Sequence, residues 1–377
     1  MLYRKFTKDK LKVSSLGFGT MRFPLKDKNN NQSIDEEKSL ELLNYAYDNG
    51  INYFDTAYNY HGGKSEPFLG KAIKNFNRED IFIATKLPMW LCKTYSDYEK
   101  IFNEQLNRLS TDYIDFYLTH SLTRKTFEDM KKNNVFKFLD ELKKTKKIRY
   151  AGFSFHDKLD VFKVIVDSYD WDFCQIQLNY MDENYQAGLE GLKYAKEKGI
   201  DVIIMEPVKG GRLAEGPKEF KDIFKKSNTD YSPAQWALRY IYDNPDISLL
   251  LSGMSNLEQV KENILLASTM GENNLNNEDK KIIKEAREFL NMRSKIDCTA
   301  CEYCMPCPEN VMIPKIFQLY NNASIYDEYE EQRKDYLELI EIEKDASKCI
   351  ECGHCESMCP QHLNIIDGLK DANNYFK

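Results

Sequence analysis

Short apolar runs rich in β-branched and aromatic residues alternate along most of this chain with longer stretches of helical periodicity. The runs fall at 16–20, 52–57, 81–86, 113–120, 149–154, 173–178, 201–206 and 248–252. Helical stretches follow nearly every one and are clearest at 97–109, 157–168, 185–198, 232–243 and 256–267. Ser33-Ile34-Asp35-Glu36 reads as a capping box opening an earlier helix. Strand–helix alternation implies a parallel sheet with right-handed crossovers. Eight such units within about 250 residues predict an α/β chain built as a (β/α)8 TIM barrel. An open doubly wound sheet would carry a glycine-rich fingerprint after its first strand, and Gly17-Phe18-Gly19-Thr20-Met21-Arg22 lacks the third glycine. Residues 2–13 read as a short hairpin under the barrel, and 276–292 as a final helix.

Composition narrows the picture. The 377 residues are 42% hydrophobic, enough for a sizeable core, and carry a net charge of -7. That charge argues against nucleic acid or an anionic membrane as partner. The first ten residues are too polar for a signal peptide, and no run approaches the ~18 apolar residues of a membrane span. A cytoplasmic protein is expected. Of ten cysteines, Cys92 and Cys174 stand alone and read as buried small residues. The other eight crowd into 298–359, a spacing of metal ligands rather than of disulfides.

Barrel enzymes place their chemistry at the C-terminal ends of strands. Those ends carry Asp55, Lys86, His120, Ser154 and Gln175 or Gln177, with Tyr60 in the loop after Asp55. A carbonyl that accepts hydride needs a proton on its oxygen. A tyrosine is a poor acid alone, and a lysine cation beside it lowers its pKa. Asp55 would pair with Lys86, and His120 could orient the carbonyl oxygen. Each residue alone has an ordinary structural use, as an ion pair, a satisfied histidine or a packed ring. Four together on successive strand ends predict a catalytic group of Asp55, Tyr60, Lys86 and His120.

These residues resemble the aldo-keto reductase family over about residues 1–290. The resemblance rests on Phe54-Asp55-Thr56-Ala57-Tyr58-Asn59-Tyr60, on Glu66 and Leu69-Gly70, on Lys86, and on Leu118-Thr119-His120. It implies reversible NAD(P)H-dependent reduction of a small aldehyde or ketone, with Tyr60 as acid. It also implies the nucleotide contacts. Gly19, Thr20 and Met21 would line the nicotinamide end, and Ser154 and Gln175 would bond the carboxamide. Gly210, Gly211 and Leu213 would sit by the pyrophosphate. Gly253, Gln259 and Asn263 belong to the adenine-end segment. Three positions depart from the family pattern: Phe155 replaces an asparagine, Met205 replaces a stacking tyrosine, and Met254-Ser255-Asn256 lacks the cation that grips the NADP 2′-phosphate. Either NADP or NAD is therefore expected, with Lys209, Arg212 or Lys261 as candidate substitutes for that cation.

The cysteine region divides into two runs. Cys298, Cys301, Cys304 and Cys307 have two residues between each and the next, with Pro308 following. Cys349, Cys352, Cys355 and Cys359, before Pro360, follow the bacterial ferredoxin spacing. Zinc sites usually present separated pairs, so two 4Fe–4S clusters are the expectation and zinc the alternative. In two-cluster ferredoxins the fourth cysteine of each run serves the other cluster. That pattern implies one ligand set of Cys298, Cys301, Cys304 and Cys359, and another of Cys349, Cys352, Cys355 and Cys307. Residues 313–345, between the runs, read as helical. The domains expected are a barrel at 1–292 and a small C-terminal α-helical ferredoxin-like domain at 293–377. A ferredoxin-like redox partner is expected for the tail. The rival to an enzyme is a redox sensor or electron-transfer module whose barrel only binds nicotinamide, a role that would not need a Tyr–Lys pair.

Overall fold

The computed structural model of the chain describes residues 1–6, 11–27, 30–298, 300, 302–359 and 361–377. These form two compact units, 1–210 with 234–276, and 211–233 with 277–377.

In the first unit, a hairpin of β1 (Tyr3–Phe6) and β2 (Leu11–Ser14) precedes a closed parallel barrel. The barrel strands are β3 (Leu16–Gly19), β4 (Tyr53–Asp55), β5 (Phe82–Leu87), β6 (Ile114–Leu122), β7 (Ile148–Phe155), β8 (Phe173–Gln177), β9 (Asp201–Met205) and β10 (Leu249–Gly253). They neighbour one another in chain order, and β10 closes onto β3. Such strands are covered on both faces and so read as continuous apolar runs. All six residues of β5, including Thr85 and Lys86, are buried. Phe6 and Val13 of the hairpin join Tyr53, Phe82, Phe116, Tyr150 and Phe173 in one apolar cluster. Phe6 meets Phe116 edge-on at 5.1 Å.

Around the barrel run α1 (Glu36–Asp48), α2 (Ser65–Ala72), α3 (Tyr95–Leu109), α4 (Arg124–Lys132), α5 (Val135–Lys144), α6 (Leu159–Val166) and α7 (Gly188–Glu197). The α1 start differs from the expectation. Asp35, not Ser33, is the N-cap, and its carboxylate accepts from the Lys38 amide at 3.3 Å. The Ser33 hydroxyl donates instead to the carbonyls of Asp27 and Asn30, at 2.9 and 2.7 Å. Serine competes locally for turn carbonyls, and this turn takes it.

The second unit contains α8 (Lys218–Phe224), which packs on α11 (Asn277–Met292). Between the units' segments, α9 (Pro233–Asp243) and α10 (Leu257–Thr269) flank β10 in sequence. The predicted helical insert is two helices, α12 (Ile313–Tyr326) and α13 (Tyr329–Glu341), broken where Asp327 takes a left-handed conformation. Two further helices, α14 (His354–Ser357) and α15 (Ile365–Phe376), finish the chain. The tail has its own core, with Phe317, Leu319, Tyr336, Leu369 and Phe376 buried together. Gly368 lets α15 approach closely; a Cβ there would meet Ile296 at 2.7 Å. No described helix is long and apolar enough to cross a membrane.

Candidate active site and cysteine cavities

Parallel register sets the strand ends level. Gly19 pairs with Asp55 and with Gly253, and Ser154 pairs with Gln175. Lys86 lies one strand beyond Asp55, with its side chain 1% exposed. Its ammonium donates to Asp55 Oδ1 at 2.6 Å, to the Thr56 carbonyl at 2.8 Å and to Tyr60 Oη at 3.3 Å. The His120 and Tyr60 rings lie edge to face, 6.2 Å apart. Asp55, Tyr60, Lys86 and His120 are thus brought to one rim.

The electrostatics follow from burial and charge. Burial alone would lower the Lys86 pKa, but Asp55 and Tyr60 outweigh it, and the pKa rises. Burial pushes the Tyr60 phenol up; Lys86 pulls it down, while Asp55 and Glu206 push it further up. The net direction is upward, so the lysine effect expected from sequence is present but outweighed by desolvation. His120 is held well below the ordinary histidine value by burial, then by Lys86 and His156. Its imidazole is therefore neutral at neutral pH.

Several buried atoms on this rim have no hydrogen-bond partner among the described residues: Asp55 Oδ2, His120 Nδ1 and Gln175 Oε1. Gln175 Nε2 contacts Met205 Sδ at 3.8 Å. Ser154 Oγ accepts from the Ser121 amide at 2.7 Å and keeps its own proton to donate. One donor and one orphaned acceptor on adjacent strands match a primary carboxamide, so these residues fit a nicotinamide. Thr20 Oγ1 lies 2.7 Å from Ser65 Oγ, and Met21 is exposed. Gly210 adopts φ 67°, a conformation that favours glycine, in the loop after β9. Gly211 and Leu213 belong to the second unit.

At the adenine-end segment, Gln259 Oε1 accepts from the Ser255 amide at 2.8 Å, and Asn263 donates to Ser252 Oγ at 3.1 Å. The three candidate cations are engaged elsewhere. Lys209 bonds both oxygens of Asp182 at 2.6 and 2.7 Å. Arg212 pairs with Glu328 at 3.0 Å, and Lys261 lies over the Tyr45 ring.

Sequence reasoning passed over four neighbours of the rim. Trp90 packs on His120 at 5.1 Å between ring centroids. His156 follows β7 and couples to His120. Arg22 lies against Gly253, where a Cβ would come within 2.5 Å of its side chain. Gln105 donates to the Lys86 carbonyl at 3.0 Å. His156, two residues past Ser154, Arg22, next to Met21, and Trp90, four residues past Lys86, stood near strand-end signals, whereas Gln105 did not.

In the second unit, two cavities lie against the cysteine runs. One is lined by Cys304, Cys307, Cys349, Cys352 and Cys355. The other is lined by Cys298, Cys304 and Cys359. Cys301 lies outside the described residues. Zinc would gather four sulfurs within about 2.3 Å of one centre. A cubane instead spreads its cysteines over separate irons, and cysteines arrayed around cavities fit that arrangement.

A closed parallel barrel with this rim is the scaffold of a nicotinamide-dependent oxidoreductase. Residues 15–288 match the Aldo/keto reductase family and residues 297–364 match the 4Fe-4S dicluster domain. The chain belongs to the aldo/keto reductase family and carries a C-terminal 4Fe–4S domain. It is 30% identical over 298 residues to the uncharacterized oxidoreductase YqkF of Bacillus subtilis, covering 71% of this chain and 92% of that one. It is also 30% identical over 279 residues to L-galactose dehydrogenase of Arabidopsis thaliana, covering 67% and 84%. Aldo-keto reductase AKR11C1 of Bacillus halodurans, in its holo form, superposes with a TM-score of 0.64 at 28% identity, covering 76% and 96%. The protein is thus an NAD(P)H-dependent oxidoreductase whose relatives indicate carbonyl reduction.

Proposed function

We infer that the protein reversibly reduces a small aldehyde or ketone to an alcohol, with Tyr60 donating the proton. One observation carries this reading: Lys86 Nζ, fixed by Asp55 and Thr56, reaches Tyr60 Oη at 3.3 Å on the barrel rim. Bound NAD(P)H would supply a hydride to the carbonyl carbon. Tyr60 holds its proton at neutral pH because burial keeps the phenol above its ordinary value. Lys86 offsets the charge that remains on the phenol oxygen after transfer. Asp55 keeps Lys86 charged and in place. Neutral His120 hydrogen-bonds the substrate oxygen and orients it.

Ser154 and Gln175 would hold the carboxamide, with Gly19, Thr20, Met21 and Met205 near the nicotinamide. Gly210, and on the resemblance alone Gly211 and Leu213, would meet the pyrophosphate. Gly253, Gln259 and Asn263 would border the adenine end. Lys209 and Lys261 already face other groups, which supports NADH being used at least as well as NADPH.

For the tail we propose two 4Fe–4S clusters with crossed ligation. Cys298 and Cys359 share one cavity, Cys307 shares the other with Cys349, Cys352 and Cys355, and Cys304 lines both. The tail would begin near residue 293. Exposed Tyr303, Ile350 and Met358 beside the runs suit a ferredoxin-like redox partner. Both cofactor types suit a reducing, cytoplasmic compartment. The test is turnover of a carbonyl panel by the purified holoprotein with each nucleotide. Reduction of at least one aldehyde or ketone is expected. Nucleotide binding without turnover of any carbonyl would favour the sensing module instead.

A further inference from the structure

Gln105, on α3, is completely buried. Its Nε2 donates to Glu66 Oε1 at 2.7 Å, to the Lys86 carbonyl at 3.0 Å and to Thr85 Oγ1 at 3.2 Å. Its Oε1 accepts from Tyr117 Oη at 2.8 Å. Every polar atom of this amide is therefore used, and one of its acceptors is the peptide carbonyl of Lys86 itself.

Glu66, on α2, is equally buried. It accepts from Thr85 Oγ1 at 2.7 Å and from Gln105 through Oε1, and from Arg108 at 3.1 Å through Oε2. The same Arg108 nitrogen donates to the Tyr58 carbonyl at 3.2 Å, and the guanidinium lies 4.0 Å from the Tyr58 ring centroid. Glu66 thus joins two branches. One runs through Gln105 to the peptide carrying Lys86. The other runs through Arg108 to the peptide two residues before Tyr60.

We propose that Gln105 and Glu66 form a positioning clamp that sets the separation of Lys86 from Tyr60. This proposal rests on Tyr60 being the acid. The Lys86–Tyr60 contact, at 3.3 Å, is near the long limit of a hydrogen bond. A cation's effect on a neighbouring phenol falls as the separation grows. Small displacements of either peptide therefore change how strongly Lys86 acts. Neither Gln105 nor Glu66 touches the reacting atoms. Both act through Lys86 and Tyr60.

The test compares Gln105→Met and Tyr117→Phe with wild type in the full holoprotein. Tyr117→Phe removes only the hydroxyl that bonds Gln105, so it keeps the test open should Gln105→Met fail to fold. Gln105→Met is expected to lower kcat about tenfold or more, with KM and nucleotide Kd within about twofold. The rise of alcohol oxidation with pH should move to higher pH, because Lys86 then pulls the Tyr60 phenol down less. Tyr117→Phe should move kcat and that rise the same way by less. A lower Tm with kcat and pH profile unchanged in the folded variants would overturn the clamp. Tyr60→Phe, run alongside, separates the two claims: if it stays active, the acid assignment fails, and if it is dead while Gln105→Met matches wild type, only the clamp fails.

Discussion

The Lys86 ammonium lies 3.3 Å from the Tyr60 phenol oxygen and 4.8 Å from the centre of its ring, with Lys86 buried and Tyr60 half-buried at the barrel rim. The cation therefore acts on the phenol through a low-dielectric environment, where charge effects are stronger than in water.

If Tyr60 is the acid, Tyr60→Phe removes the proton donor and little else. General acids typically contribute ~10²–10⁴-fold, so kcat should fall by that order while nucleotide affinity stays within a few-fold. Steady-state kinetics and a fluorescence titration measure the two. Turnover within a few-fold of wild type would remove Tyr60 from the mechanism.

Lys86→Met should alter the pH profile in a definite direction. Tyr60 already sits above the ordinary phenol value, and Lys86 is the group pulling it down. Without that pull the phenol rises further. The alkaline fall of carbonyl reduction, which needs protonated Tyr60, should move to higher pH. Alcohol oxidation, which needs the deprotonated form, should require more alkaline conditions. Turnover at neutral pH should drop, because the acid is weaker and its charged form unsupported. An active variant with the wild-type profile would break the coupling.

Nucleotide choice follows from where the cations point. With Lys209 on Asp182 and Lys261 on Tyr45, no candidate named from sequence in the first unit is poised for a 2′-phosphate. NADH should bind at least as tightly as NADPH in paired fluorescence titrations. A preference for NADPH beyond about tenfold, or ~1.4 kcal/mol, would show that another base, with Arg22 the first to examine, serves that phosphate.

Crossed ligation predicts that Cys359→Ser disturbs the cluster shared with Cys298 and Cys304. Iron and sulfide counts with electron paramagnetic resonance should show that cluster changed and its neighbour retained. Disturbance of only the cluster held by Cys349, Cys352 and Cys355 would mean uncrossed ligation. Zinc without sulfide would dismiss both assignments. Because a cluster ties residues on either side of α12 and α13, removing iron should also loosen the tail, measurable as a lower Tm.

The barrel was legible along the chain because each strand is a short apolar run covered on both faces, and each helix shows its own periodicity. Those are local signals, and they located Asp55, Lys86 and His120 as polar residues ending such runs. The cysteine spacing was legible for the same reason, since ligands with two residues between them are a local pattern. Ser33 shows where local reading fails: its motif fits a cap, but nearby turn carbonyls compete for the same hydroxyl, and Asp35 caps α1 instead. Tertiary structure alone decided the rest. Gln105, Glu66 and Arg108 meet Lys86 and Tyr58 only because α2 and α3 pack beside β5. The direction of the Tyr60 shift was equally unreadable, since sequence names the lysine that lowers it but not the burial that outweighs it. Periodicity and ligand spacing are properties of a few consecutive residues. Desolvation and long-range hydrogen bonding depend on which distant segments close around a group, and here barrel closure and the packing of α2 and α3 on it determine both.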